Sequence, residues 1–388
     1  MRDSSGVRSN RLRRIGAMVV AASLVLTVAA SGGIGWHYSE QLLNPATARP
    51  GFPDVVLGAS DGEVVLADSG STAQRGTWGL VWPGGELEVG DVASRSGGEV
   101  RRPITKGTAP AAGTRVRVEG SVWASDPRSA LGLDYRDVSV PTELGDAPAW
   151  LVPGSGGDGG AWVVAVHGRA GTRAETLRAL PVLHDAGLTV LSITYRNDDG
   201  APASPDGLYH LGDSEWRDAE AAVRYARDSG AGKIVLYGWS MGGAIAGQLL
   251  ARSELAGEVS ALVLDAPVTS WTGTLELQSR ERGVPTWLVP LAELVSGWRA
   301  DLDFSRFDLA DHPPAHRPPT LLVHGDADTT VPVQGSRDLA ARAASGALDW
   351  DVRYVEVPGA AHVAAWNADR ARYERELADF VTSLTTPP

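Results

Sequence analysis

Ile234-Val235-Leu236-Tyr237-Gly238-Trp239-Ser240-Met241-Gly242-Gly243-Ala244-Ile245-Ala246 decides how this chain is read. Its first four residues continue an apolar run begun after Lys233, as expected of a strand buried on both faces. Its last four open a helix. Between them stands Gly238-Trp239-Ser240-Met241-Gly242, a G-x-S-x-G pentapeptide. In a strand–turn–helix context that pentapeptide is a nucleophile elbow. So sharp a turn leaves no room for a side chain two residues before or after the serine, which explains glycine at 238 and 242. The strain presents the Ser240 oxygen at the head of a helix. It also aims the Met241 N–H at an oxyanion developing beside that oxygen.

Working outward, similar apolar runs recur at Trp162–Val166, Leu188–Ile193, Val259–Leu264 and Thr320–Val323, and Val352–Val357 is strand-like. Helical stretches separate them. In 213–228, Trp216, Ala219, Val223 and Ala226 fall on one stripe, with Asp213 or Ser214 as the expected cap. Strand–helix alternation predicts an α/β fold with a mostly parallel sheet covered on both faces and a site at the strands' carboxyl ends. The Gly-rich stretch 154–160 reads as a hairpin tip.

A nucleophilic serine needs a base, and the base needs an orienting acid. In this class of fold they follow in the order Ser, acid, His. Asp328 lies in His324-Gly325-Asp326-Ala327-Asp328, directly after the run 320–323. His362 closes Pro358-Gly359-Ala360-Ala361-His362, after the run 352–357. Both therefore fall at strand carboxyl ends. Asp326 in the same loop and Asp265 at the end of the run 259–264 are rival acids. His324 reads as packing at its strand end, and His312 and His316 as solvated in a Pro-rich loop. The second oxyanion donor is expected after Trp162–Val166, in His167-Gly168-Arg169-Ala170-Gly171, as the backbone N–H of Arg169. The Arg169 side chain is either solvated or meets a substrate carboxylate, and His167 fixes the loop.

HGRAG (167–171), GWSMGG (238–243), HGDADTTVP (324–332) and PGAAH (358–362), in that order, resemble the α/β-hydrolase superfamily. Within it, the chain is similar to bacterial secreted or membrane-anchored hydrolases of the prolyl-oligopeptidase-like or acylaminoacyl-peptidase-like type. It is also similar to eukaryotic membrane-anchored relatives acting on acylglycerols, lysophospholipids or acylated proteins. The resemblance covers about 135–385 and includes Tyr195-Arg196-Asn197 through Asp218. It implies an α/β-hydrolase fold and a serine hydrolase with Ser240, His362 and Asp328 as its triad, working on a small ester or a peptide without metal or organic cofactor. Residues 54–134 stand outside the motif set and lack the repeated blades of an oligopeptidase propeller. Two further readings share these residues. One is acyl transfer to an acceptor other than water. The other is a non-catalytic surface binding protein, which ordinarily would have lost the serine or the histidine.

The rest of the chain sets the context. Its 388 residues are 43% hydrophobic and 21% charged and include no Cys, which excludes disulfides, thiolate nucleophiles and Cys-ligated metals. The net charge of −12 argues against nucleic-acid partners. Residues 1–36 nevertheless carry five Arg and one Asp. After this basic head (1–14) comes an uncharged apolar run (15–36), near the roughly 20 residues a helix needs to span a bilayer. The basic side is expected in the cytoplasm and the catalytic bulk outside, with Trp36 and Tyr38 in the interfacial belt. A cleaved signal peptide competes, because Val28-Ala29-Ala30 has the small residues signal peptidase accepts. Residues 37–53 read as a linker, with Pro45, Pro50 and Pro53 stopping any continuing helix. Residues 54–134 read as a small β-rich domain, from the runs Val55–Leu57, Glu63–Leu66, Thr77–Trp82 and Arg115–Val118. The catalytic domain then spans 135–388. Within it, 268–316 is the expected lid, with Leu288, Leu291, Leu294 and Val295 at helical spacing as a stripe on the core or along an acyl pocket. Such a wall predicts a preference for esters of small to medium acyl chains over peptides.

Overall fold

The computed structural model describes residues 32–45, 51–156 and 160–385. The larger part is an eight-stranded sheet in the order β15-β14-β13-β12-β10-β11-β9-β8. Its members are β8 (Arg136–Thr142), β9 (Gly145–Val152), β10 (Ala161–Val166), β11 (Thr189–Ile193), β12 (Lys233–Trp239), β13 (Val259–Asp265), β14 (Thr320–Gly325) and β15 (Val352–Val357). β10 to β15 run parallel, and β9 and β8 add antiparallel at one edge. Helices cover both faces, so the central strands are buried on both sides and their sequences read as unbroken apolar runs. This is the α/β-hydrolase architecture.

The smaller part is all β: β1 (Asp54–Ser60), β2 (Glu63–Ala67), β3 (Trp78–Trp82), β4 (Gly85–Val89), β5 (Ser94–Ser96), β6 (Glu99–Lys106) and β7 (Arg115–Glu119). The order is β2-β1-β7-β3-β4-β6-β5, and β2 also pairs with β6, which closes a barrel and removes most free edges. Val56, Val64, Leu66, Leu80, Leu87 and Val116 fill it, and Ala364 of the catalytic domain packs into the same cluster.

Several expectations change. The stretch 15–31 of the apolar run, with the basic head, lies outside the described residues. Among the described residues no helix is long and apolar enough to cross a membrane. Residues 32–43 are one helix, so 37–43 is not linker. The helix runs seven residues into the expected linker, and Pro45 follows its end at 43 by two residues. Residues 157–159 of the Gly-rich stretch also lie outside the described residues, and its flanking strands do not form a hairpin: β9 pairs with β11 and β8, while β10 sits between β11 and β12. The helix expected from 213 begins at Trp216, without a side-chain cap. Asp213 instead pairs with Arg252, and the buried Glu215 carboxylate accepts the N–H groups of His210 and Gly212.

The segment expected as a lid carries two longer helices, Trp271–Glu281 and Val289–Ala300. Its buried face is not the expected stripe. The second helix buries Val289, Ala292, Ser296 and Ala300, small residues that let it lie close on its neighbours. Leu291 and Val295 pack instead against Gly35 of the helix at 32–43, and Leu294 faces outward.

Candidate active site

The turn after β12 is as tight as its sequence requires. Ser240 sits at φ 50°, ψ −115°, outside the regions that L residues favour. A Cβ on Gly238 would lie 2.4 Å from the Gly242 carbonyl oxygen, and one on Gly242 would lie 2.1 Å from that of Val166. Strain of this kind costs about 1–3 kcal/mol and persists only where surroundings over-determine it. Here the Ser240 N–H donates to the Asp265 carbonyl at 3.0 Å, and the Ser240 carbonyl accepts from Val268 at 3.0 Å.

Sequence-distant residues meet at this serine. The Ser240 hydroxyl lies 2.9 Å from His362 Nε2, and His362 Nδ1 lies 2.7 Å from Asp328 Oδ2. Asp328 Oδ1 accepts the N–H groups of Thr330 and Val331 at 2.8 and 2.9 Å. Burial alone would raise the Asp328 carboxyl. Hydrogen bonds from His324 and His362 and the nearby imidazole charge outweigh it and hold the group well below the usual carboxylate range. Since an ionised carboxylate only accepts, His362 Nδ1 carries a proton and Nε2 is left to receive that of Ser240.

His324 does more than pack. It is fully buried, its Nε2 donates to Asp328 Oδ2 at 3.1 Å, and its Nδ1 lies 2.7 Å from the Ser336 hydroxyl. The rival acids have other partners. Asp326 Oδ1 accepts the Gly359 N–H at 2.6 Å, fastening the loop that leads to His362. Asp265 takes a hydrogen bond from the Tyr373 hydroxyl at 2.7 Å, and burial raises its carboxyl above the ordinary value. His316 is not simply solvated: its Nε2 donates to the Val259 carbonyl at 2.8 Å.

The loop after β10 is built as a rigid shelf. His167 Nε2 donates to Asp198 at 2.9 Å and Nδ1 to the Gly168 carbonyl at 2.8 Å, so both ring nitrogens carry protons. Burial alone would lower this imidazole, but Asp198, the Gly168 carbonyl and Glu175 raise it. Tyr195 stacks on the ring at 4.5 Å and donates to the Gly168 carbonyl. The N–H groups of Met241 and Arg169 have no hydrogen-bond partner among the described residues.

Four features carry no plain sequence signal or only a faint one. Glu175 accepts the Gly168 N–H at 2.6 Å. It is the last residue of Thr172-Arg173-Ala174-Glu175, a capping-box pattern whose acid here serves a different N–H. Arg178 donates to the Val363 carbonyl at 2.6 Å and to Asn367 Oδ1 at 2.8 Å. The Asn367 amide in turn donates to the Thr77 and Gly120 carbonyls of the barrel domain at 2.8 and 2.9 Å. The Arg169 guanidinium, half-buried, is engaged by the chain's own backbone. It donates to the carbonyls of Gln41, Leu42 and Asn44, capping the helix at 32–43, and lies over the Tyr209 ring.

The site opens on a cleft of about 680 Å³ between the two domains. Ser240, His362, Arg169, Glu175 and Arg178 line it from the catalytic side, and Val81, Arg117 and Glu119 from the barrel.

Comparison with known proteins agrees with this architecture. Residues 178–386, more than half of the chain, match the prolyl oligopeptidase family, and residues 55–119 match a domain of unknown function. The uncharacterized protein Rv2307c of Mycobacterium tuberculosis is 31% identical over 237 residues, covering 58% of this chain and 72% of that protein. The uncharacterized protein YfhR of Escherichia coli is 24% identical over 274 residues, covering 69% of this chain and 86% of its own. The Pyrococcus furiosus esterase Pf2001 aligns with a TM-score of 0.53 at 19% identity, covering 68% of this chain and 98% of its own, a likeness of fold. The chain belongs to the prolyl oligopeptidase family. It is a hydrolase on the α/β-hydrolase fold.

Proposed function

We propose that the protein cleaves carboxylic esters through an acyl-enzyme. Ser240 is the nucleophile, His362 the proton carrier, Asp328 the orienting acid, and the N–H groups of Met241 and Arg169 the oxyanion hole. The observation that carries this reading is the unbroken relay Ser240–His362–Asp328 at 2.9 and 2.7 Å. As Ser240 Oγ attacks the carbonyl carbon, its proton passes to His362 Nε2. The oxyanion is held by the two N–H groups while the C–O bond to the alcohol breaks, and His362 returns the proton to that alcohol. Water then repeats the sequence on the acyl-enzyme. Asp328 stays ionised throughout and stabilises the imidazolium. These steps call for neither metal nor organic cofactor.

Three features favour esters. The lid is rich in apolar side chains, as walls of acyl sites are. Among the described residues, the cleft is flanked by one small barrel and not by the repeated blades of a propeller. The Arg169 guanidinium is engaged by three backbone carbonyls, so the oxyanion loop offers no free cation to a peptide carboxylate. The peptidase alternative draws on the polar barrel-side wall, with Arg117 and Glu119 opposite Glu175 and Arg178.

The uncharged run Ile15–Trp36 behind five arginines supports a bilayer anchor with the catalytic domain outside the cytoplasm.

The test is fluorophosphonate labelling followed by kcat/KM for an ester and an amide sharing one acyl group. An ester preference larger than the intrinsic reactivity difference supports the reading. A preference no larger, with efficient cleavage of aminoacyl amides, makes the protein a peptidase.

A further inference from the structure

The last four carbonyls of a helix lack partners within it, and partial negative charge gathers on them. At the end of the helix at 32–43, the Glu40 carbonyl accepts the Asn44 N–H at 3.1 Å, and the next four carbonyls are met from outside. Arg169 Nη2 donates to those of Gln41 and Asn44 at 2.8 and 3.1 Å, and Arg169 Nε to that of Leu42 at 3.1 Å. The Tyr209 N–H donates to that of Leu43 at 2.7 Å. The three donations are the only hydrogen bonds of the Arg169 side chain among the described residues. The helix is itself a fixed anchor. Leu42 and Leu43 are buried in the main core, Ser39 is fully buried, and Arg299 bonds Ser39 at 3.0 Å and Glu40 at 2.6 Å.

The backbone of Arg169 stands at the nucleophile. Arg169 and Ser240 line the same cleft, and a Cβ on Gly168 would lie 3.1 Å from Ser240 Cβ, so the loop has no slack towards the serine. Ala170 stands at φ 57°, which L residues hold only where surroundings enforce it. His167, Tyr195 and Glu175 grip the loop through residues 167 and 168, and the Gly171 N–H returns to the Gly168 carbonyl at 3.0 Å. Residue 169 is held through its side chain, by the helix end and by the Tyr209 ring under the guanidinium.

We propose that Arg169 is a positioning residue whose side chain ties the oxyanion donor, its own backbone N–H, to the helix at 32–43. That helix is then part of the active-site framework, although none of its residues lines the Ser240 cleft. The inference rests on the oxyanion hole of the acyl-enzyme reading, and it holds equally for an ester or a peptide substrate. An oxyanion donor acts at about 2.7–3.1 Å, so a small displacement of this N–H weakens the transition state more than substrate binding.

Two variants of the full chain reach the tie from opposite ends. Arg169→Met removes the three donations and keeps an apolar stem over Tyr209. Gln41→Pro kinks the last turn of the helix and alters no residue of the catalytic domain. The probe is an alkyl trifluoromethyl ketone. Ser240 Oγ bonds its carbonyl carbon, the carbonyl π pair moves onto oxygen, and the serine proton passes to His362, which leaves an oxyanion in the hole. Each variant should lower kcat on p-nitrophenyl acetate on the order of 10²-fold, with KM little changed, and raise the inhibition constant of the ketone by a similar factor. The double variant should lose no more than the worse single one, because both cut the same path. Partial unfolding would lower the active fraction, and so turnover, but leave the inhibition constant of the folded fraction at the wild-type value. An unchanged inhibition constant in either variant therefore overturns the proposal. Losses that multiply in the double variant also overturn it, since helix and Arg169 would then act separately. A wild-type protein that hydrolyses neither ester nor amide and binds no ketone overturns the serine-hydrolase reading instead.

Discussion

Arg178 holds the carbonyl oxygen of Val363 at 2.6 Å, and Val363 is the residue directly after His362. Val363 stands at φ 52°, a conformation β-branched residues avoid. The same guanidinium bonds Asn367, whose amide is hydrogen-bonded to two carbonyls of the barrel domain. The barrel is thereby wired to the histidine loop through two side chains. Releasing that tie should misplace the imidazole more than it weakens substrate binding, and a displacement of about 1 Å can cost on the order of 10²-fold in rate. Asn367→Ala and Arg178→Lys should therefore lower kcat while KM changes little, as steady-state kinetics on a soluble ester will show. A fall confined to KM would mean that these residues touch substrate instead.

The acid is the next point of test. Asp328→Asn should reduce turnover by about 10⁴, because an amide favours the wrong imidazole tautomer. Asp265→Asn should cost far less. Its carboxyl is buried, raised above the ordinary value and bonded to Tyr373 rather than to His362. If Asp265→Asn proves the more damaging variant, the acid belongs to β13.

Much of this site is legible in the sequence because the elbow, the acid and the histidine are local patterns at strand ends. The glycines at 238 and 242 and the apolar runs before Ser240 and Asp328 each announce their geometry. Arg178, Asn367 and His324 announce nothing, since each acts through a partner on another segment. Arg169 could be read only as solvated or substrate-facing because the carbonyls it caps belong to residues 41–44, far away in sequence. The lid stripe misled for a related reason: apolar spacing marks a helix face but not which neighbour that face meets. β4 and β6 carry glutamate, arginine and proline in a small half-exposed barrel, where alternation is diluted.

Glu175 offers a separation of charge from hydrogen bonding. Its carboxylate accepts the Gly168 N–H beside the oxyanion loop. Glu175→Gln keeps an acceptor and should retain most of the activity. Glu175→Ala leaves that N–H without its partner, which costs about 1–3 kcal/mol when buried, and should slow acylation by a pre-steady-state burst assay. Equal loss in both variants would assign the charge itself a role.

His167 gives a pH dependence with a definite sign. Against burial, Asp198 and the Gly168 carbonyl raise its folded-state pKa above the ordinary imidazole value. The stability it contributes is fully present below the unfolded value and is lost as pH rises through the raised folded value. Urea unfolding from about pH 6 upward should show this alkaline loss in the wild type and its absence in His167→Gln. An identical slope in both would remove His167 as the source.

The central claim is that Ser240 forms the acyl-enzyme, and one substitution tests it most directly. Ser240→Ala, with its fold verified by circular dichroism, should take up no fluorophosphonate probe and lose on the order of 10⁶ in ester turnover. Wild-type labelling, or wild-type hydrolysis, by the Ser240→Ala protein would contradict the account.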